Sequence, residues 1–339
     1  MEKKEEVKDK KFESIREAMK KAEFGNTIFQ ADEIMKEPMQ VISTGSLSLD
    51  LATGVGGYPK GRIVDIWGNA STGKSLLSIL AVKEIQKQKG IACIIDLERA
   101  YKSEESKKWL QLHGVNIEKL FISKPKCGEK AMETVVKFVK EGADLIIVDS
   151  TASIIPLEVM ERSLEDSALI ASQARLINEA LKKITPLVED SNAVVMFIHQ
   201  VRSNISAITS PYSGEPREIA TGGKALEFYS SIRIRVRRKG GSEIKEGNRI
   251  IGHRITFKVT KNKVAPPLRE GEFDLYYEKG IDNMSEIFQV ALEEKVIKLE
   301  GKTYSFNNHK WIGQDKARED IKSDKELQKQ LYDLIRKGK

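Results

Sequence analysis

The segment Gly68-Asn-Ala-Ser-Thr-Gly-Lys-Ser75 constrains this chain more than any other. It fits G-x-x-x-x-G-K-[ST] and lies between an apolar run, Ile63 to Trp67, and a helix-patterned stretch over 75–88. In that context Gly68 and Gly73 let backbone N–H groups curl around phosphate oxygens, with Asn69, Ala70, Ser71 and Thr72 completing the loop. Lys74 reaches the β and γ phosphates, and the Ser75 hydroxyl can ligate Mg²⁺. The unit therefore predicts nucleoside triphosphate binding. A metal-bound triphosphate also needs a carboxylate at a strand end, and Leu145-Ile-Ile-Val-Asp149 supplies one after four apolar residues. Hydrolysis needs a group to orient water, and Ile94-Ile-Asp96-Leu-Glu98 ends another apolar run with two acids. Spacing alone does not choose between Asp96 and Glu98, and either can instead cap a helix or form an ion pair.

The surrounding pattern predicts an α/β fold. Apolar runs at Ile63–Trp67, Ala92–Ile95, Leu120–Ser123, Leu145–Val148 and Ala193–Ile198 alternate with helical segments over 75–88, 104–113, 128–141 and 168–187. Continuous apolar strands between helices indicate a mostly parallel sheet covered on both faces. Ser231–Arg238, His253–Lys261 and Glu272–Tyr277 read as antiparallel strands extending it. Between the two sets, Val201 to Thr221 lacks periodicity and reads as a long mobile loop. At the start, residues 1–11 are almost wholly charged and read as frayed, while Phe12, Ile15, Met19 and Ala22 recur at helical spacing. That short helix must dock on this chain's own core or on a neighbouring subunit. From about residue 282 a smaller mixed α/β unit is expected, with Leu327, Leu331, Leu334 and Ile335 on one helix face. The expected division is 1–36, an N-terminal helix and oligomerisation segment; 37–278, the core; and 279–339, a small C-terminal domain.

Composition mainly excludes. No apolar run approaches the roughly 18 to 20 residues of a membrane span, and the charged start has no secretory signal pattern, so a cytoplasmic protein is expected. Two cysteines and four histidines without ligand spacing argue against a disulfide scaffold or zinc module. A net charge of +7, from 57 Lys+Arg against 50 Asp+Glu, is compatible with a polyanion partner without identifying one.

Further segments narrow the reading: Ser43-Thr-Gly-Ser-Leu-Ser-Leu-Asp50, Gly61-Arg-Ile-Val, Val148-Asp-Ser150, His199-Gln-Val-Arg202, Thr221-Gly-Gly223, Lys261-Asn-Lys263 and Ile312-Gly-Gln314. With the phosphate loop these resemble the RecA family of DNA strand-exchange proteins over about residues 12–335. The resemblance implies a RecA-like P-loop ATPase core, an N-terminal polymerisation helix and a small C-terminal α/β domain. It also implies ATP and Mg²⁺ as cofactors, with a helical filament on single-stranded DNA that pairs with homologous duplex in recombination, repair and the DNA-damage (SOS) response. By resemblance Glu98 is the catalytic glutamate, Trp109 packs near adenine, and Gln200 senses the γ phosphate. Lys261 and Lys263 would reach the γ phosphate of the neighbouring subunit, although a Lys-x-Lys pair also describes a solvated face. Residues 161–171 and 201–221 correspond to two DNA-binding loops, to which Arg175, Lys182, Arg202 and the N–H groups of Gly222 and Gly223 would add phosphate contacts.

The alternating run Arg233-Ile-Arg235-Val-Arg237-Arg238 projects Arg233, Arg235 and Arg237 from one strand face. Arg237, Arg238 and Lys258 match the family's second DNA site, while Thr256 stands where an arginine is common. Ala70 lacks an acid frequent in the family's loop, and His199 replaces a usual asparagine beside Gln200. The expected activity is DNA-dependent ATP hydrolysis coupled to strand exchange. The alternatives are a hexameric RecA-like motor of the helicase or branch-migration type, and a filament protein that binds DNA without hydrolysis.

Overall fold

A computed structural model describes residues 2–21, 27–29, 31, 38–161, 169–203, 218–220 and 224–337. The chain divides into two compact units, Met1–Gln40 and Val41–Lys339. In the first, helix α1 spans Glu2–Lys20, so the charged start is helical rather than frayed. Lysine and glutamate are good helix formers, which favours a helix over so charged a segment. Phe12, Ile15 and Met19 keep 57, 50 and 40% of their surface exposed and line, with Ile28 and Phe29, a groove of about 540 Å³. Ala22 lies outside the described residues.

The second unit opens with strand β1 (Val41–Ile42), helix α2 (Leu47–Thr53) and strand β2 (Tyr58–Pro59), which pairs with β1. Strands and helices then alternate: β3 (Arg62–Gly68), α3 (Lys74–Lys87), β4 (Ala92–Asp96), α4 (Glu104–Leu112), β5 (Leu120–Ser123), α5 (Gly128–Lys140), β6 (Leu145–Asp149), the single turn α6 (Leu157–Met160), α7 (Leu169–Glu189) and β7 (Val194–Ser203). After β8 (Glu218–Ala220) and α8 (Ala225–Tyr229) come β9 (Ile232–Glu246), β10 (Arg249–Asn262), β11 (Glu270–Tyr276) and β12 (Gly280–Ile281). These strands form one ten-stranded sheet in the order β12-β11-β10-β9-β3-β7-β6-β4-β5, with β8 on β7. Pairs from β9 through β5 are parallel, and those among β9 to β12 are antiparallel. Every residue of β4 and β6 is buried, which is why these strands read as unbroken apolar runs.

One core cluster packs α3, including Leu77, Ile79 and Ile85, against Val64, Ile94, Ile147 and Met196. On the opposite face α5, α7 and α8 cover Ile63, Ile95, Val148 and Phe197. No helix among the described residues is long and apolar enough to cross a membrane.

Two further expectations change. The segment after Ile198 is not loop throughout, because Val201, Arg202 and Ser203 pair antiparallel with Ala220, Ile219 and Glu218; residues 204–217 and 221–223 lie outside the described set. Strands β9 and β10 extend well past Arg238 and begin well before His253, as a ribbon turning at Gly247 and Asn248. Along Lys239–Glu246 that ribbon is largely exposed and shows no hydrophobic alternation, although Gly-Asn between strands is a recognised turn signal.

The C-terminal elements are α9 (Asn283–Glu293), a three-stranded sheet β13 (Lys298–Glu300), β14 (Thr303–Phe306) and β15 (His309–Ile312), then α10 (Gln314–Ser323) and α11 (Lys325–Lys337). Phe288, Trp311, Leu327, Leu331 and Ile335 form their core and share it with Leu47 and Leu51 of α2. Leu334 falls off this i, i+4 stripe and is 43% exposed. Glu286 of α9 binds the junction: its buried carboxylate accepts the hydroxyls of Ser46 and Ser48 and the N–H groups of Leu47, at 2.8 Å, and Ser48, at 3.1 Å. It thus caps the N-terminus of α2 from some 240 residues away. On α2, Asp50 accepts Ser43 Oγ and Thr44 N at 2.7 Å, and burial pushes its carboxyl up to about 7.

Replacing Glu286 by alanine strands two hydroxyls and two N–H groups in the interior. The expected cost is about 3 kcal/mol, seen as a lower urea midpoint at unchanged slope. A midpoint within error of the parent would show that the cap contributes nothing.

Candidate nucleotide site and nucleic-acid surfaces

The phosphate loop sits where β3 ends and α3 begins. Gly73 adopts φ +87 as the N-cap of α3, and a Cβ there would meet Leu275 of β11 at 2.9 Å. Gly68 lies so close to β9 that a Cβ would stand 2.1 Å from the Val236 carbonyl oxygen. Both positions therefore require glycine, one for conformation and both for close approach. Lys74 is buried, and its Nζ donates to the carbonyls of Gly68, at 3.0 Å, and Asn69, at 2.5 Å. Burial lowers its pKa, partly opposed by Asp149 and Glu98.

Above the loop is a cavity of about 620 Å³. Its wall includes Ala70 through Leu76 of the loop and α3, Glu98 beyond β4, Trp109 of α4, Asp149 at the end of β6 and Gln200 of β7. Pieces of chain far apart in sequence thus meet at the carboxyl ends of parallel strands, where open α/β sheets place their ligands. The two acids left open by spacing separate here. Asp96 is fully buried and accepts the N–H groups of Ala100, at 2.9 Å, and Tyr101, at 3.1 Å, so it fastens the turn after β4. Glu98 stands at the cavity, accepting Ser150 Oγ and, at 3.3 Å, Gln200 Nε2.

Burial, reinforced by the nearby Glu98 charge, raises the Asp149 pKa to about 6, against a hydrogen bond from Ser75 that lowers it. The Ser75 hydroxyl and Asp149 carboxylate are hard oxygen donors and fit Mg²⁺, which commonly completes its octahedron with phosphate and water oxygens. No group of three His, Cys, Asp or Glu side chains able to hold a metal ion occurs among the described residues.

Two cavity residues with polar groups escaped the sequence reading of this site. Tyr277, just past β11, packs edge-on to His253 with centroids 5.6 Å apart and lines the cavity. Arg238, assigned by resemblance to a DNA site, also lines it and donates Nη2 to the Ser71 carbonyl at 3.0 Å. Both reach the loop because the antiparallel strands β9 to β11 run alongside it, a relation no local pattern reveals.

The remaining site residues lie elsewhere. Arg175 and Lys182 are exposed on α7, two turns apart. Arg202 lies on β7 opposite Ile219, while Gly222 and Gly223 lie outside the described residues, as do most of 161–171 and 201–221. Lys258 pairs across the strands with Arg235 and lies 3.2 Å from Glu270, while Arg237 pairs with Thr256; together they line a groove of about 570 Å³. Lys261 donates Nζ to the carbonyls of Glu227 and Phe228, and Lys263 is exposed; neither lines this chain's own cavity.

The family model of the RecA N-terminal domain matches residues 11–282. The chain belongs to the RecA family. It is 39% identical to Protein RecA of Chloroherpeton thalassium over 99% of this chain and 92% of that protein. Identity is 40% with Protein RecA of Porphyromonas gingivalis, over 97% and 95%, and 42% with that of Chlorobium limicola, over 88% and 82%. The expected fold, a P-loop core on a mostly parallel sheet, is therefore borne out, and with it the family's activity. This RecA-family chain is a recombinase, a DNA-dependent ATPase that exchanges DNA strands.

Because metal binding needs the ionised carboxylate, protons compete for Asp149 as pH falls through about 6. The rise in melting temperature that Mg²⁺ adds to an ATP analogue should accordingly be large at pH 7.5 and small at pH 5. Asp149→Asn should abolish most of it at both. An equal Mg²⁺ effect at the two pH values in the parent would exclude Asp149 as the ligand.

Proposed function

We propose that ATP occupies the 620 Å³ cavity, with Lys74 at its β and γ phosphates, Trp109 beside its base, and Ser75 and Asp149 holding Mg²⁺. The observation that supports this is the convergence of the loop, Glu98, Trp109, Asp149 and Gln200 on one cavity. Bound there, Mg²⁺ would neutralise developing charge on the phosphates. Glu98 orients and deprotonates water at the γ phosphate. Gln200, hydrogen-bonded to Glu98 and placed on the strand that leads into 201–221, passes the state of the γ phosphate to that loop.

Lys261 and Lys263 complete the cavity of the next copy in a filament. Cations supplied in trans stabilise phosphoryl transfer only after assembly, which couples hydrolysis to polymerisation. Arg175, Lys182, Arg202, Gly222 and Gly223 hold single-stranded DNA through its phosphates, and Arg237, Arg238 and Lys258 form the second site for duplex. The protein works in the cytoplasm on single-stranded and homologous duplex DNA.

Turnover of ATP with and without single-stranded DNA tests the chemistry. Glu98→Gln should lower the stimulated rate by about 10² or more while nucleotide binding persists. For sharing in trans, Lys74→Ala and Lys261→Ala should each keep only a small but measurable fraction of the stimulated rate alone and regain activity when mixed. Mixing restores sites that combine a loop lysine from one copy with Lys261 from the other. No recovery, with both variants folded and binding DNA, would contradict the shared site.

A further inference from the structure

Three ionisable residues from adjacent strands meet inside the sheet: Asp65 of β3, His199 of β7 and Arg233 of β9. The register pairs Asp65 with Phe197 and Arg233, and Trp67 with His199 and Arg235, so all point to one face. Asp65 and His199 are 0% exposed and Arg233 is 8% exposed. Asp65 Oδ2 accepts Arg233 Nε at 2.7 Å, while Oδ1 lies 2.7 Å from His199 Nδ1 as a close polar contact without hydrogen-bond geometry. Burial alone would raise the Asp65 pKa, but His199 and Arg233 outweigh it and hold the carboxyl below the usual carboxylate range. The His199 ring lies parallel to Trp67, 10° between planes, and the Arg233 guanidinium stands 5.4 Å from the same indole. Neighbouring positions on this face carry Ile63, Val195 and Phe197. Apolar residues therefore suit this layer, and a buried ion cluster is often no more stable than apolar residues of its size.

The ends of the cluster lead to different places. His199 precedes Gln200, which lines the cavity and donates to Glu98. Arg233 is the cross-strand partner of Lys261, and its guanidinium also lies 3.7 Å from the Glu227 carboxylate. The backbone carbonyls of Glu227 and Phe228 in turn hold Lys261 Nζ. A continuous chain of contacts thus runs from the group facing this copy's γ phosphate to the cation offered to the next copy. We propose that Asp65, His199 and Arg233 are positioning residues that set Gln200 and Lys261 relative to one another, so that the state of one nucleotide site is felt at the neighbouring one. This rests on the roles proposed above for Gln200 and Lys261. Its physical basis is that a close-packed buried ion pair and the polar contact beside it have few alternative arrangements, so a displacement at one end cannot be absorbed locally.

The test uses the full chain with single-stranded DNA and ATP. Asp65→Asn keeps shape and removes charge; His199→Phe keeps the ring over Trp67 and removes the polar contact with Asp65; His199→Asn restores a polar group there. The first two should lower stimulated kcat about tenfold or more, with KM for ATP little changed, and His199→Asn should recover most of the loss. Combined with Lys261→Ala, His199→Phe should lower kcat no further than Lys261→Ala alone. Triad variants that fold and keep parental kcat, while Gln200→Ala and Lys261→Ala lose it, would overturn the inference. Multiplicative losses in the double variant would do the same, as would failure of both Asp65→Asn and His199→Phe to fold, which marks a scaffold. If instead Gln200→Ala and Lys261→Ala themselves keep full activity, the roles assigned under the proposed function are what fails.

Discussion

The parallel register of β3 with β7 is the constraint on which the rest depends. It sets Gly68 beside Gln200, while β7 against β6 sets Ile198 beside Asp149, and β6 against β4 sets Asp149 beside Asp96. Because side chains alternate with period two, a slip of one residue in any pair would turn a cavity residue toward the opposite layer. Apolar residues enforce the register on both faces at once: Val64, Ile94, Ile147 and Met196 toward α3, and Ile63, Ile95, Val148 and Phe197 toward α5 and α7. The two hydrophobic clusters thus also position the site, with a precision that loops alone do not provide.

The electrostatics of that site explain why it needs cations. Asp149 and Glu98 face the same space as Lys74, whose Nζ is engaged by two backbone carbonyls. The raised Asp149 pKa records how little positive charge offsets burial there. A triphosphate adds further negative charge, so its transfer calls for cations beyond the one loop lysine. The proposed metal supplies some, and the proposed trans lysines supply the rest. Burial and the charges of Lys263 and Arg233 lower the pKa of Lys261.

The phosphate loop, Asp149 and the parallel strands were legible because each has a short-range signature: a glycine-lysine spacing, or an apolar run of the length a doubly covered strand requires. Glu98 and Asp96 were not separable, since their difference is made by the turn after β4, where Ala100 and Tyr101 donate to Asp96. Glu286 looked like any acid on an amphipathic helix, and its partners Ser46 and Ser48 lie far away in sequence. Tyr277 and Arg238 were missed as cavity residues because the passage of β9 and β11 beside the loop is tertiary. The ribbon beyond Arg238 was missed because it buries almost nothing, and hydrophobic alternation records burial rather than strand geometry.

The four arginines of β9 show most plainly what a one-dimensional pattern hides. In sequence they form one basic run, and all would count equally toward attraction of a polyanion. In the fold Arg233 is buried against Asp65, Arg235 stands 5.3 Å from the Trp67 ring, and Arg238 bonds the phosphate loop, while Arg237 lines the groove with Lys258. Glu270 and Glu272 line the same groove. Counterion release depends on cations that actually neutralise phosphates, and a buried or carboxylate-paired side chain contributes little to it. A polyanion would therefore meet less available charge on this run than its length suggests, because Arg233 is held by Asp65 and Arg238 joins the phosphate loop to the sheet.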